Sequence, residues 1–426
     1  MRVIISGAGI AGPTLAWFLS RAGARVTLIE KAPSMLLQGQ NIDVHGTALN
    51  VINKMGLIAQ LRSRNTTEKG TCFVDVNGKV IASFPVEGTA GSPTSEFEIC
   101  RGDLAEILYD AAKDLPNVEF KFGTTITKVL ENSEERVRVE LSTGEQQEGD
   151  VLVAADGQWS RLRKEVFGEQ AVNVVDRNCF CVYATVPREA DDSDYWTIYQ
   201  ALNSRDVSTR PDNHGTTRVF VTAMPIGEEK RKAWYAASRS HNRQLQMDLL
   251  RSELGDLKWK TPRLLRQMEK AEDFYLQAVL QIRMAQWYKN RVICLGDTAY
   301  APTPFTGMGT SLAINGAYLL AGHLSQLDDN AHPSTAFQAY ESQFRPFVEE
   351  IQNLAWFVPG IAHPRYAWSR WLFRRFISLV AYVLKMPWVI RKYGVMGKTF
   401  ENGLVDELDA PFPTFAAFEP EKDIKA

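Results

Sequence analysis

Val3-Ile4-Ile5-Ser6 opens the chain as a short unbroken apolar run, closed by Gly7-Ala8-Gly9-Ile10-Ala11-Gly12. An apolar run of this length bounded by glycines predicts a buried strand. Past Pro13, Leu15, Phe18, Leu19 and Ala22 recur at helical spacing, Gly23 stops the helix, and residues 25–30 read as the next strand. Strand, glycine loop, helix, strand and terminal acid form one βαβ nucleotide unit. Gly7 permits the tight turn, Gly9 lets a pyrophosphate approach, Gly12 lets helix and strand pack closely, and Glu30 reaches ribose hydroxyls.

The pattern then changes several times. A second helix is predicted over 47–55, stopped by Gly56, and Asp43 before it reads equally as a helix cap or a cofactor-facing group. Leu104, Ile107, Leu108 and Ala111 mark an amphipathic helix whose entry residue, Arg101, is placed to grip an anionic pyrophosphate. Residues 117–153 alternate as strands with a turn at Ser142-Thr143-Gly144, and the last strand ends in Asp156-Gly157-Gln158-Trp159-Ser160-Arg161-Leu162-Arg163. Strands are predicted over 179–186, 195–202 and 216–222, interrupted by a polar loop holding Ser204, Asp206, Asp212 and His214. A helical region follows over 228–270.

The most diagnostic pattern comes late. An apolar strand over 291–295 ends in Gly296-Asp297, and Pro302-Thr303-Pro304-Phe305-Thr306-Gly307-Met308-Gly309-Thr310 then opens a second apolar helix. The aspartate offers a fixed acceptor for a sugar-chain hydroxyl. The glycines let backbone N–H groups approach a flat ring, and the helix aims its positive end there. This pattern selects a flavin over a nicotinamide as the resident cofactor.

Composition narrows the class. The chain has 426 residues, 45% hydrophobic and 23% charged, with a net charge of −2. There is no basic excess for a nucleic-acid partner. Five scattered cysteines and six histidines that do not cluster with them predict reduced thiols, no metal site and a cytoplasmic-type compartment. No signal peptide is read at the N-terminus. Residues 376–390 are apolar except for Ser378 and Lys385, too short to span a bilayer, which needs roughly 20 apolar residues. The neighbouring Trp and Arg residues resemble an interfacial anchor; a helix docked on the body is the favoured expectation, with membrane contact as the lesser one.

Gly7-x-Gly9-x-x-Gly12 with Glu30, Asp156-Gly157-x-x-Ser160-x-x-Arg163, and Gly296-Asp297 with Pro304-x-x-Gly307-x-Gly309 together resemble the single-component FAD-dependent monooxygenases of the p-hydroxybenzoate hydroxylase fold. The resemblance is nearest to tetracycline-inactivating and natural-product tailoring hydroxylases. It implies an α/β fold: a Rossmann-like FAD-binding domain from residues 1–72, 97–175 and 285–345, interleaved with a mixed-sheet substrate domain from 73–96 and 176–284. Residues 346–426 would form a C-terminal helical segment. It also implies bound FAD, NADPH or NADH as co-substrate, and insertion of one atom of O2 into a small aromatic or polyketide-like product through a C4a-hydroperoxyflavin.

By the same resemblance Gly7, Gly9, Ala11, Gly12, Glu30, Lys31, Asp43, Arg101, Asp156, Arg163, Asp297, Gly307, Met308, Gly309 and Thr310 would serve the cofactor. The backbone at Gly309 and Thr310 would face the flavin carbonyl edge, and Pro304, Phe305 and Gly307 the substrate side. No catalytic side chain is implied. Two positions depart from the family: Tyr300 stands where relatives carry histidine, and Leu36-Leu37-Gln38 where many carry an arginine that handles the flavin or nicotinamide. A single Gly-x-Gly-x-x-Gly loop implies transient nicotinamide binding. An oxidase or reductase on the same fold is the alternative; a halogenase is less favoured because Trp-x-Trp-x-Ile-Pro is absent.

Overall fold

The computed structural model describes residues 1–36, 38–86, 97–328, 331–353, 358–389 and 409–419. Its nucleotide half is a six-stranded sheet in the order Tyr288–Lys289, Val292–Cys294, Val151–Ala154, Arg2–Ser6, Arg25–Ile29 and Val118–Lys121. All neighbours are parallel except the first pair. Arg2–Ser6 lies between partners on both sides, with Val3 opposite Val26 and Val151, which is why it reads as a continuous apolar run. The C-terminal ends of four of these strands lead into the glycine loop, Glu30, Asp156 and Asp297. That edge is where an open α/β sheet binds its ligand.

The other half is a seven-stranded sheet in the order Tyr275–Met284, Val172–Pro187, Thr216–Ala223, Arg205–Pro211, Trp196–Ala201, Gly70–Val74 and Val80–Pro85. Helices Glu228–Arg239, Arg243–Leu254 and Thr261–Met268 close one face of it through Trp234, Met247, Leu250 and Leu264. A two-stranded ribbon of Asn41–Asp43 with Glu98–Cys100 stands between the halves.

Three expectations need correction. The segment read as a polar loop contains the strand Arg205–Pro211, in which Asp206 and Ser208 are buried. Paired strands on both sides supply its backbone bonds, and its charged groups find partners: Arg205 lies against Asp256 at 2.7 Å. Histidine and cysteine do meet, because Cys100, Asp103 and His214 converge through the fold and not along the chain. His214 Nε2 is 3.0 Å from Asp103, whose Oδ2 also accepts from Asn213, so hydrogen bonds join the two halves here; burial pushes the Cys100 thiol up to about 12. Finally, the expected boundaries at 72, 175 and 345 fall inside Gly70–Val74, Val172–Pro187 and the helix Ser334–Gln352.

Beyond that helix, Ala367–Leu384 docks on the edge strand Val80–Pro85. Residues 409–419 return to the nucleotide half: Asp409 Oδ1 accepts from the Thr47 hydroxyl at 3.0 Å, and Tyr318 donates to the Pro413 carbonyl at 2.6 Å.

Candidate active site

Three glycines shape the N-terminal loop. Gly7 has φ +109°, and a Cβ there would sit 2.4 Å from the Ala155 carbonyl oxygen; one on Gly12 would sit 2.0 Å from the Gly7 carbonyl oxygen. Gly9 differs: the nearest atom to an added Cβ is Arg101 Nη2, at 3.7 Å. A gap between a glycine backbone and a guanidinium suits an anion. The helix Ala11–Arg21 opens beside it with no side-chain cap and no acid in its first turn, which leaves its N–H groups available for the same charge. Glu30 accepts from Ala8 N and Ala32 N, each at 2.8 Å, and so holds its carboxylate at the loop. Lys31 is exposed beside it. These residues fit the dinucleotide part of FAD.

Asp297 lines a cavity of about 480 Å³ and is exposed. Its carboxylate forms no hydrogen bond among the described residues. Lost hydration raises its carboxyl above the ordinary range, and the Arg101 charge acts in the opposite direction. An ideal Cβ on Gly309 would lie 4.0 Å from Asp297 Oδ1, which places the carboxylate under the start of the helix Gly309–Ser325. That helix also lacks a side-chain cap. An acceptor without a donor and donors without an acceptor are what the hydroxyl-bearing chain and carbonyl edge of a flavin would complete. Asp43 lines the cavity wall with Arg101, and the next helix begins after Gly46, so Asp43 is not its cap.

Arg163 and Asp156 are placed differently. The Arg163 guanidinium is buried and donates to the carbonyl oxygens of Thr298 at 2.6 Å and Gln158 at 2.9 Å. Gly157 N donates to the Thr298 hydroxyl at 2.9 Å. The second motif therefore holds the Gly296–Asp297 turn in place, and the arginine does not line the cavity. Asp156 is exposed at the strand end. Tyr300 points away from the cavity: its hydroxyl meets that of Tyr340 at 2.8 Å beneath Gly316. Leu37, in the stretch lacking the family arginine, lies outside the described residues.

Pro304, Phe305, Gly307, Gly309 and Thr310 line the cavity, and Met308 packs on the core behind it. The opposite wall comes from the expected substrate sheet, but its lining residues were not singled out in the sequence: Tyr183, Trp196, Arg210, Arg218 and Phe220. Tyr183 stacks between Phe220 and Tyr275, with centroids 4.6 and 4.8 Å away. Arg210 lies 4.3 Å over Trp196 and is paired with Glu68 and Glu98. Arg218 pairs with Asp212 at 2.8 Å and donates to the Gly39 carbonyl at 3.1 Å. Burial acts to raise the Asp212 carboxyl, but hydrogen bonds from Thr216 and the Arg218 charge outweigh it and hold it low. The one available signal was spacing: Cys179 and Cys181 share a strand face, and Tyr183 continues it into the cavity.

Residues 1–355 match the family described as FAD binding domain. The chain belongs to this family. It is an FAD-dependent monooxygenase of the p-hydroxybenzoate hydroxylase type. The enzyme is 32% identical over 392 residues to Monooxygenase CTB7 of Cercospora beticola, covering 89% of this chain and 92% of that one. It is 33% identical over 379 residues to Flavin-dependent monooxygenase eupH of Phoma sp, covering 84% and 87%. Among solved structures it is similar to tetracycline destructase Tet(55), with TM-score 0.75 and 27% identity over 89% of this chain and 95% of that one. The fold is shared with Klebsiella pneumoniae HpxO complexed with FAD and uric acid, at TM-score 0.69 and 20% identity, covering 96% of each chain.

Proposed function

We propose that this enzyme uses NADPH or NADH and O2 to oxygenate a small aromatic or polyketide-like compound, held between the Pro302–Thr310 loop and the seven-stranded sheet. The observation that carries the reading is the shared cavity: Asp297 and Arg101 stand on one side of it, and Tyr183, Trp196 and Phe220 on the other. A planar ring system would find stacking surface on the aromatic wall. One structural neighbour is named a tetracycline destructase and another is complexed with uric acid, and both compounds are ring systems of this general kind.

Bound FAD would supply the electron transfer and oxygen chemistry. The chain supplies the surroundings. Gly7, Gly9, Gly12, Glu30 and Arg101 would hold the dinucleotide, and Asp297 would accept from the sugar chain. The N–H groups at Gly309 and Thr310, with the helix end behind them, would stabilise negative charge at the ring's carbonyl edge. Phe305 and the aromatic wall would exclude water, and no side chain is required as a nucleophile.

The test is NADPH and NADH oxidation by the flavin-loaded enzyme under isotopically heavy O2, across a panel of aromatic compounds. The expected result is substrate-stimulated oxidation with one heavy oxygen atom in the product. Stimulated oxidation without an oxygenated product would overturn the proposal in favour of oxidase or reductase chemistry.

A further inference from the structure

The helix Ala367–Leu384 carries apolar side chains on two opposite faces. Phe373, Ile377, Val380, Ala381 and Leu384 pack on Phe73, Ala82 and Phe84 of the seven-stranded sheet, and Ser378 donates to the Ile81 carbonyl at 3.0 Å. With about 100° of rotation per residue, Trp368, Trp371, Leu372, Leu379 and Tyr382 fall about half a turn away. All five are between 55% and 68% exposed. Phe376 and Trp388 extend this surface. Single exposed apolar residues are ordinary, but a continuous stripe along a whole helix is not. A helix apolar on both sides belongs between two apolar surfaces, and the sheet covers only one.

Charge indicates what covers the other. Between Glu350 and Glu401 the chain contains no Asp or Glu and eight Lys or Arg, although the whole chain carries a net charge of −2. Arg375 is exposed within the stripe, 5.6 Å from the Trp371 ring, and Lys385 is exposed at the helix end. A second copy seated on this face would set the same cations against each other. Tryptophan, tyrosine and leucine interleaved with cations match the interfacial zone of an anionic bilayer, where rings sit at headgroup level and cations meet lipid phosphates. No helix among the described residues is long and apolar enough to cross a membrane, which agrees with a helix lying in the surface plane.

We propose that Ala367–Leu384 is a monotopic anchor that lays this enzyme on an anionic lipid surface, with the substrate sheet and not the nucleotide sheet facing the lipid.

The test is sedimentation of the full-length, flavin-loaded enzyme with vesicles of phosphatidylcholine alone and of phosphatidylcholine with about 30% phosphatidylglycerol. Binding at least about tenfold stronger to the anionic vesicles, reversed by high salt, is expected. The double variant Trp371→Glu/Leu379→Glu alters only exposed side chains. It should abolish vesicle binding while its flavin absorbance and melting temperature stay at wild-type values. Failure to pellet with either vesicle, or binding that the double variant retains, overturns the proposal. A wild-type dimer in sedimentation velocity that the double variant splits also overturns it, by assigning the stripe to a second copy.

Discussion

Arg163 Nη1 donates to the carbonyl oxygen of Thr298 at 2.6 Å, joining points 135 residues apart. The cation is buried, and its second donor pair goes to the Gln158 carbonyl. Two motifs that look like separate nucleotide elements in the sequence are thus one mechanical unit. Arg163→Met keeps the bulk but leaves two carbonyls without their donor, at a cost of about 2–4 kcal/mol. Lower thermal stability together with weaker FAD retention is expected; wild-type values for both would refute the clamp.

Asp297→Ala removes one of the two carboxylates, Asp43 and Asp297, among the described residues that line the cavity. If Asp297 accepts from the cofactor's hydroxyl chain, FAD affinity falls by about tenfold to a hundredfold, the equivalent of one charged hydrogen bond. Flavin absorbance per protein after purification, followed by titration of the stripped enzyme, measures this. A variant that purifies fully yellow with unchanged affinity would contradict the assignment.

Gly316→Ala should destabilise the enzyme despite alanine's better helix propensity. The added methyl would stand 2.2 Å from the Tyr300 hydroxyl and 3.0 Å from that of Tyr340, in a buried aromatic cluster. Overpacking of this kind costs about 1–3 kcal/mol, against roughly 1 kcal/mol gained in propensity. Tyr300→Phe removes the nearer obstacle, so the double variant should recover part of the loss. Strict additivity of the two changes in a thermal-melt cycle would argue against the contact.

Asp192 should mark the acid limit of stability. Burial acts to raise its carboxyl, but it is more than offset by Arg263 and Lys260, each 2.6 Å away, and by the Glu189 N–H, so its folded-state pKa is depressed. The stabilisation is present above the ordinary carboxylate range, near about pH 4, and is lost as pH falls toward the depressed folded value. Asp192→Asn should therefore lower the melting temperature at pH 7 and narrow the gap from wild type as pH drops below about 4. A gap that stays constant across that window would remove Asp192 from the account.

The nucleotide side was legible because each of its motifs is local. A strand, its loop and the next helix lie within about thirty residues, so Gly7, Gly12 and Glu30 declare their geometry by spacing alone. The substrate side was not, because Tyr183, Trp196, Arg210 and Phe220 come from four strands and converge only after the sheet forms. Arg205–Pro211 was misread for a related reason: its polar side chains are buried by partners that sequence does not place beside them. Arg163 shows the reverse case, a residue located in a motif by spacing whose guanidinium the fold turns toward backbone carbonyls.

The sheet order Val292–Cys294, Val151–Ala154, Arg2–Ser6 and Arg25–Ile29 has a bearing on synthesis. The ribosome makes three of these strands first, then must build five strands of the seven-stranded sheet, from Val172–Pro187 to Tyr275–Met284, before the fourth appears. At about 5–20 residues per second, the edge of Val151–Ala154 waits on the order of ten seconds for its partner. During that interval Arg163 has no Thr298 to hold, and one apolar strand edge stands open. FAD would have a complete seat only once the helix Gly309–Ser325 has emerged.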